Sequence, residues 1–226
     1  MHRGLRGGDG DATMGKMSAL EIDLFSDVVC PWCFVGVERL EQVLASKGVE
    51  AEVRHHPFLL SPDTPPEGRN IHQHLRKLYG RDPGPIFARV EAAARDTGIE
   101  LDLSRQPFNS PTLPAHVVIR GAAGKGTQRA LARELFRTHF LEARNVSDPA
   151  VLAEVAGRHG FASGEVAALL DSPAERQLTL DEIQSAQAMG IRGVPFFIFN
   201  RRLAVSGAQP PEIFHKALAQ AQQSAA

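Results

Sequence analysis

The chain has 226 residues, of which 43% are hydrophobic, and this is enough for a globular protein that buries its own core. Its 25 basic and 26 acidic residues give a formal net charge of -1, so the charge gives no reason to expect nucleic acid or an anionic membrane as a partner. No stretch approaches the roughly 18 consecutive apolar residues that a transmembrane helix needs, and we expect a small molecule or another protein as the partner.

Residues 1–17 are polar and rich in glycine, and they lack the apolar core of a secretory signal peptide. We predict either a disordered leader here or an over-early start codon, with Met14 or Met17 as the first residue. Without an export signal the expected compartment is the cytoplasm, where two neighbouring cysteines are more often catalytic or metal-binding than a structural disulfide.

The next segment has the pattern of a strand, a helix and a second strand. Residues 19–25 alternate apolar and acidic side chains, which predicts a strand. Residues 31–46 have apolar residues at helical spacing, with a proline at the start and Gly48 just beyond the end. Alternation returns at 49–58. Strand, helix, strand is the crossover unit of an α/β sheet.

A proline-rich loop follows, and from Ile71 to about Met189 the periodicity is almost entirely helical. One apolar stripe, for example, contains Ile71, Leu75 and Leu78. Helix starts are marked where a capping side chain precedes a proline, at Asp148 and Ser172. This region reads as a helical block inserted into another fold.

The β pattern returns after the helical block. Two short strands, "VPFFIFN" and "LAVSG", are joined by two arginines, which is too short a link for anything but a hairpin, and an amphipathic helix follows. The sequence therefore predicts an α/β protein with a thioredoxin-like fold and a large all-helical insertion between a βαβ unit and a C-terminal ββα unit. We assign 18–66 and 190–224 to the thioredoxin-like domain and 67–189 to the insertion.

The only two cysteines, Cys30 and Cys33, stand where the first strand meets the first helix. With Cys30 as the N-cap and Pro31 as the first helical residue, the thiol lies at the positive end of the helix, which favours the thiolate. Cys33 comes one turn later at the edge of the buried stripe, which suits a thiol shielded from solvent. We predict that Cys30 attacks disulfides and that Cys33 resolves the mixed disulfide.

Two other interpretations of the cysteines remain open. They could be half of a zinc site, although no second C-x-x-C exists and the available histidines lack a recognisable ligand spacing: His55, His56, His72 and His74. They could also be two structural thiols without a chemical role. The position of the pair between a strand and a capped helix favours the redox interpretation over both.

The dipeptide Val194-Pro195 opens the strand that follows the insertion. Proline cannot donate a hydrogen bond to a sheet, so its place at this strand entry predicts a cis peptide bond that presents the Val194 backbone to a ligand lying against Cys30. The alternative is an ordinary trans proline at the start of an edge strand.

These motifs resemble the DsbA-like thiol-disulfide oxidoreductases, and more closely their cytoplasmic FrnE-like branch. The likeness runs from about Leu20 to Ala219. The resemblance implies a thioredoxin fold with an inserted helical domain, Cys30 as the nucleophile, Cys33 as its partner and Pro195 as the facing cis proline. It rests on "FSDVVCPWCFVGVERLE" (25–41), "HHPFLLSPDTPPEG" (55–68), "GVPFFIFN" (193–200) and "SGAQPPEIF" (206–214).

The sequence departs from the family pattern at some positions, and a neighbouring branch of the family is also similar to it. Pro31-Trp32 replaces the Pro-His of the exported oxidants, so an equally strong oxidant is not expected, and no further cysteine is available for a relay. The 2-hydroxychromene-2-carboxylate isomerases and kappa-class glutathione transferases are similar but have a serine where Cys30 stands, and they activate bound glutathione. Because both thiols are present here, disulfide exchange is favoured.

The expected function is therefore that of a dithiol-disulfide oxidoreductase, acting on protein or small thiol substrates, with Pro31, Trp32, Val194 and Pro195 as substrate contacts. A glutathione-dependent isomerase or transferase is the first alternative, and a non-catalytic peptide-binding chaperone is the second. No metal or organic cofactor is expected, since glutathione or a thioredoxin can exchange the electrons. The protein is expected to be a monomer or a homodimer.

Overall fold

The computed structural model describes residues 20–223, so the predicted leader of residues 1–17 lies outside the described residues. None of the helices in this range combines the length and hydrophobicity needed to cross a bilayer. In chain order the elements are β1 (Leu20–Ser26), α1 (Pro31–Lys47), β2 (Ala51–Pro57), β3 (Arg69–Asn70), α2 (Ile71–Tyr79), α3 (Gly84–Arg95), a 3₁₀ turn (Leu103–Arg105), β4 (Phe108–Asn109), α4 (Leu113–Gly121), a second 3₁₀ turn (Ala122–Lys125), α5 (Gln128–Phe140), α6 (Pro149–Gly157), α7 (Glu165–Asp171), α8 (Pro173–Ala188), β5 (Phe196–Phe199), β6 (Leu203–Ser206) and α9 (Pro211–Gln223).

The central sheet has the strand order β2-β1-β5-β6. β1 runs parallel to β2, as a crossover unit requires, and it pairs antiparallel with β5, which forms the hairpin with β6. The side chains of β1 and β5 that face α1 and α9 are completely buried, and Phe197 meets Phe214 edge to face at 4.9 Å. The predicted βαβ and ββα units are therefore confirmed, and they share one sheet.

The segment between β2 and β5 contains the predicted helices, α2 to α8. Asp148 accepts a hydrogen bond from the Ala150 amide and Ser172 accepts one from the Glu175 amide, so both predicted caps are confirmed. The structure adds one feature that is too short for a period-two pattern, a two-residue antiparallel ladder between β3 and β4. The boundaries proposed at 66/67 and 189/190 lie in connections between elements and stay predictions.

Not every apolar stripe of the insertion reaches the core. Helix α2 forms where the stripe predicts it, yet none of its residues is buried and Leu78 is 61% exposed. Helix α3, by contrast, buries Val90 and Ala94 against the thioredoxin-like core. Periodicity thus predicted the helix but not which helix would be covered.

Helix α5 fixes the insertion against α1. The Phe34 ring of α1 is fully buried and lies parallel to the rings of Phe136 and Phe140, with 5.8 Å between ring centres in each pair. Two bidentate ion pairs also join α5 to α1, Arg129 with Glu41 and Arg133 with Glu38. The geometry of α1 is therefore set by the insertion as well as by the sheet.

Helix α5 also covers the free edge of β2. The Gln128 amide accepts a hydrogen bond from the His55 backbone N–H and donates one to the His55 carbonyl. This side chain therefore pairs the two backbone groups that an edge strand leaves open.

Candidate active site

The N-terminus of α1 places Cys30 as predicted. Cys30 has an extended backbone with φ -92° and ψ 110°, Pro31 is the first helical residue, and the Cys30 side chain makes no capping hydrogen bond. Its amide donates to the Asp27 carbonyl at 3.0 Å, and its carbonyl accepts from the amides of Cys33 and Phe34. The chain therefore turns tightly from β1 into the helix and leaves the thiol at the helix N-terminus.

The two cysteines are free thiols that differ in access to solvent. Cys30 is 4% exposed and Cys33 is 0% exposed, while Pro31 and Trp32 between them are half-buried. Cys30 is more enclosed than its place at a helix mouth suggests. Of the two, it is nevertheless the only one that solvent reaches, which is the asymmetry expected of an attacking and a resolving thiol.

Cys33 is held in its protonated form by its surroundings. Complete burial is the main cause that raises the pKa of its thiol well above the ordinary value. A hydrogen bond with Cys30, the charge of Cys30 and the carboxylate of Asp27 raise it further, and a backbone hydrogen bond from Asp27 works in the opposite direction. Cys33 is therefore a thiol at neutral pH and needs a proton acceptor before it can react.

The Val194-Pro195 peptide bond is cis, as predicted. The Pro195 ring is buried against α1, because a Cβ added at Gly36 would lie 2.9 Å from its Cγ. Gly36 therefore allows the proline loop to approach the helix within one turn of Cys33. Sequence reasoning missed Gly36, although a glycine inside a helical pattern next to a C-x-x-C motif is a signal of close backbone approach.

A buried polar group lies beneath the motif, and sequence reasoning missed it. Asp27 is 0% exposed, and its Oδ2 accepts a hydrogen bond from the Leu60 amide at 2.7 Å. Its Oδ1 lies 3.4 Å from Nε2 of His116, and neither atom has a hydrogen-bond partner within residues 20–223. The only signal in the sequence was an acidic residue at the end of an apolar strand, just before the cysteines.

Two further histidines are buried and neutral. Burial lowers the pKa of His55 to about 3 and that of His139 to about 4, and in His139 the charge of Asp27 partly opposes the effect. His56, which follows His55 in the chain, is half-buried, and its Nε2 lies 2.8 Å from Oδ1 of Asp23. Within the described part of the chain, no group of histidine, cysteine or acidic side chains is arranged to hold a metal ion.

A wide cavity lies away from the two cysteines and the cis proline. It has a volume of about 980 Å³ and lies between the outer face of the sheet, α5 and α8, and no residue of the C-P-W-C motif lines it. A smaller cleft of about 280 Å³ borders Trp32. We therefore locate the active site by the cysteines and the cis proline and not by cavity size.

Comparison with known proteins identifies the family. Residues 21–219 match the model of the DSBA-like thioredoxin domain. The chain belongs to this family. It is 32% identical to a probable DsbA oxidoreductase from Streptomyces coelicolor, with a TM-score of 0.81 and 90% of each chain covered. The resemblance to the DsbA-like family is confirmed, and the protein is a DsbA-like thiol oxidoreductase by family.

Two more distant structures share the fold of this DsbA-like chain. One is the cytosolic disulfide reductase DsbM from Pseudomonas aeruginosa, solved with GSH, at 20% identity and a TM-score of 0.65, with 90% of this chain and 99% of that chain covered. The other is a 2-hydroxychromene-2-carboxylate isomerase, at 16% identity and a TM-score of 0.71, with 91% and 98% covered. At these identities the likeness concerns the fold alone.

Proposed function

We propose that this protein is a dithiol-disulfide oxidoreductase that exchanges disulfides with protein or small thiol substrates through Cys30 and Cys33. One observation carries the proposal, namely the unequal surroundings of the two thiols. Of the two thiols, Cys30 has the only solvent access, and it stands at the N-terminus of α1. Cys33 is sealed and protonated one turn away.

The reaction has two displacement steps. The Cys30 thiolate attacks one sulfur of a substrate disulfide, the S–S bond of the substrate breaks, and one substrate thiolate leaves. Cys33 then loses its proton and attacks Sγ of Cys30, the mixed disulfide breaks, and the second substrate thiolate leaves. The substrate gains two electrons and the enzyme is left with a Cys30–Cys33 disulfide. The reverse sequence oxidises a substrate dithiol.

Asp27 is the group best placed to take the proton of Cys33. Its carboxylate is near enough to raise the pKa of the Cys33 thiol, and Oδ1 has no hydrogen-bond donor among the described residues. Because Cys33 has no contact with solvent, a buried acceptor is needed when the thiolate forms. The Leu60 amide, which donates to Oδ2 at 2.7 Å, holds the carboxylate in place, and His116 Nε2 lies 3.4 Å from Oδ1.

The substrate lies, in this proposal, between the motif and the cis-proline loop. Pro31 and Trp32 are half-buried beside Cys30, and Val194 is half-buried next to the buried Pro195. The backbone of Val194 is then available to an extended substrate segment. Glutathione or a thioredoxin completes the cycle without a metal or organic cofactor.

We place the protein in the FrnE-like branch and in the cytoplasm. Support for the compartment comes from the cytosolic disulfide reductase that shares this fold. A dithiol enzyme in a reducing compartment would spend most of its time with both thiols reduced, so we expect disulfide reduction to be its main direction.

The test uses single substitutions of the two cysteines. Cys30→Ser should abolish reduction of insulin disulfides, since the attacking sulfur is lost. Cys33→Ser should still attack but should accumulate mixed disulfides with substrate, visible by mass spectrometry and removed by dithiothreitol. Full activity of the Cys30 variant, or equal trapping by both variants, would contradict the proposal.

A glutathione-dependent isomerase or transferase is the second candidate. It is favoured by the fold shared with a 2-hydroxychromene-2-carboxylate isomerase and with a reductase solved with GSH. The two candidates differ in the role of Cys33. If bound glutathione supplies the reactive thiol, Cys33→Ser should leave turnover intact and calorimetry with S-methylglutathione should detect binding to the reduced protein. If the dithiol mechanism holds, the same variant should lose multiple turnover.

A further inference from the structure

A cleft of about 280 Å³ lies beside the active-site motif. One wall is Trp32, which stands between the two cysteines in sequence. The other wall comes from the insertion, where Arg81 and Asp82 lie in the α2–α3 connection and Arg89 lies on α3 together with Pro85 and Ile86. The insertion thus contributes side chains directly next to the residue that follows Cys30 and Pro31.

The cleft is positively charged. The Arg89 guanidinium carbon lies 5.6 Å from the centre of the Trp32 ring, a cation–π distance. The one acid in the lining, Asp82, pairs with Arg76 at 3.3 Å. Within residues 20–223 neither Arg81 nor Arg89 forms an ion pair, and both are exposed. The charge of two guanidinium groups is therefore available to a ligand.

We propose that this cleft selects disulfides that carry a carboxylate within a few atoms of the reacting sulfur. The inference rests on the proposed function, because it concerns the substrate part that is bonded to Cys30 in the mixed disulfide. That part must lie over the residues next to Cys30, of which Trp32 is one. A carboxylate on it would then face Arg89 across the indole ring.

The expected preference follows from the distance. A carboxylate about 6 Å from a guanidinium, at the high effective dielectric of a protein surface, should react about 3- to 10-fold faster than an uncharged group of the same size. An ammonium group should be disfavoured to a similar degree. Because the charges are exposed, salt at about 1 M should remove most of the difference.

The test uses three disulfides with identical two-carbon arms. They end in a carboxylate (3,3′-dithiodipropionate), a hydroxyl (hydroxyethyl disulfide) or an ammonium group (cystamine). The reduced protein is mixed with each in a single turnover, and the signal is the fluorescence of Trp32, the only tryptophan of the chain. Each rate is divided by the rate of the same disulfide with dithiothreitol, which removes differences in intrinsic reactivity.

The variants are Arg89→Ala and the double variant Arg81→Ala/Arg89→Ala, with Arg95→Ala as the control. Arg95 is an exposed arginine on the same helix, and it does not line the cleft. We expect the wild type and the control to prefer the carboxylate substrate by about 3- to 10-fold, and the double variant to lose the preference while it still reacts with hydroxyethyl disulfide.

The outcomes separate this inference from the proposed function. If the reduced wild type reacts with none of the disulfides, the proposed function fails and takes the inference with it. If it reacts without a charge preference, or if the double variant keeps the preference, only the inference fails. Peptide disulfides with Glu or Lys beside cysteine then identify the source. Discrimination in both sets points to acidic protein segments, and discrimination confined to the small disulfides points to small carboxylate-bearing thiols.

Discussion

The two cysteines of this protein stand one helical turn apart, yet their surroundings differ. Cys30 is slightly exposed to solvent, and the half-buried Trp32, which contacts the exposed Arg89, follows it by two residues. Cys33 is fully buried near the carboxylate of Asp27. The difference arises from what packs on each side of α1, and it teaches that the insertion both seals one thiol and lines the approach to the other.

The largest expected effect on stability comes from removing the aromatic packing between α1 and α5. Phe34→Ala removes a fully buried ring that stacks with Phe136 and with Phe140, and such a cavity costs about 3–5 kcal/mol in free energy of unfolding. Urea denaturation measures the change. Leu78→Ala on α2 is the matched control, because its side chain is 61% exposed and its loss should change stability by less than about 0.5 kcal/mol. Equal losses of unfolding free energy in the two variants would contradict the difference in burial between Phe34 and Leu78.

The surroundings of Cys30 could be predicted from the sequence, and the buried polar contact near Cys33 could not. The N-cap position of Cys30 and the proline that follows it depend on local rules for helix starts, and the cis bond before Pro195 was expected from its place at the strand entry after the insertion. The contact between Asp27 and His116 joins residues 89 positions apart and needs the packing of α4 against the end of β1. No local pattern encodes such a pairing.

The same limit explains which helices are covered. The apolar stripes of α2 and α3 have similar spacing, but only α3 lies against the core. Spacing sets the face of a helix and not its neighbour, so the stripe of α2 predicted the helix correctly and said nothing about its burial.

The second prediction tests Asp27 as the proton acceptor of Cys33. Asp27→Asn keeps an oxygen for the Leu60 amide but cannot accept a proton, so resolution of the mixed disulfide should slow by about 100-fold near neutral pH and recover as the pH rises. Rapid-quench kinetics after Cys30 has reacted isolates this step. Loss of the negative charge alone should ease ionisation of Cys33, since Asp27 raises its pKa. Faster resolution in the variant would therefore mean that Asp27 acts through charge only.

The third prediction concerns pH and the buried histidine near this carboxylate. Burial lowers the pKa of His139 to about 4, below its unfolded value of about 6.5. The unfolded chain binds the extra proton between these values, so stability falls as the pH falls, by about 2 kcal/mol between about pH 7 and pH 5 for this group. His139→Leu should reduce the slope of that part of the profile measured by urea denaturation, and the buried His55 should keep the remainder. An unchanged slope would show that His139 is not a buried neutral group.

The smallest expected effect is at the contact between α1 and the cis-proline loop, near both cysteines. Gly36→Ala places a Cβ 2.9 Å from Cγ of Pro195, closer than carbon atoms can approach, so the loop or the helix must shift at a cost of about 1–2 kcal/mol. Gly157→Ala is the control, because a Cβ there meets nothing within 4 Å at the end of α6, and it should be neutral or slightly stabilising. If Pro195 positions the substrate, Gly36→Ala should raise KM for peptide disulfides more than it lowers kcat. A loss of stability with unchanged KM would show that the proline loop supports the fold and does not position the substrate.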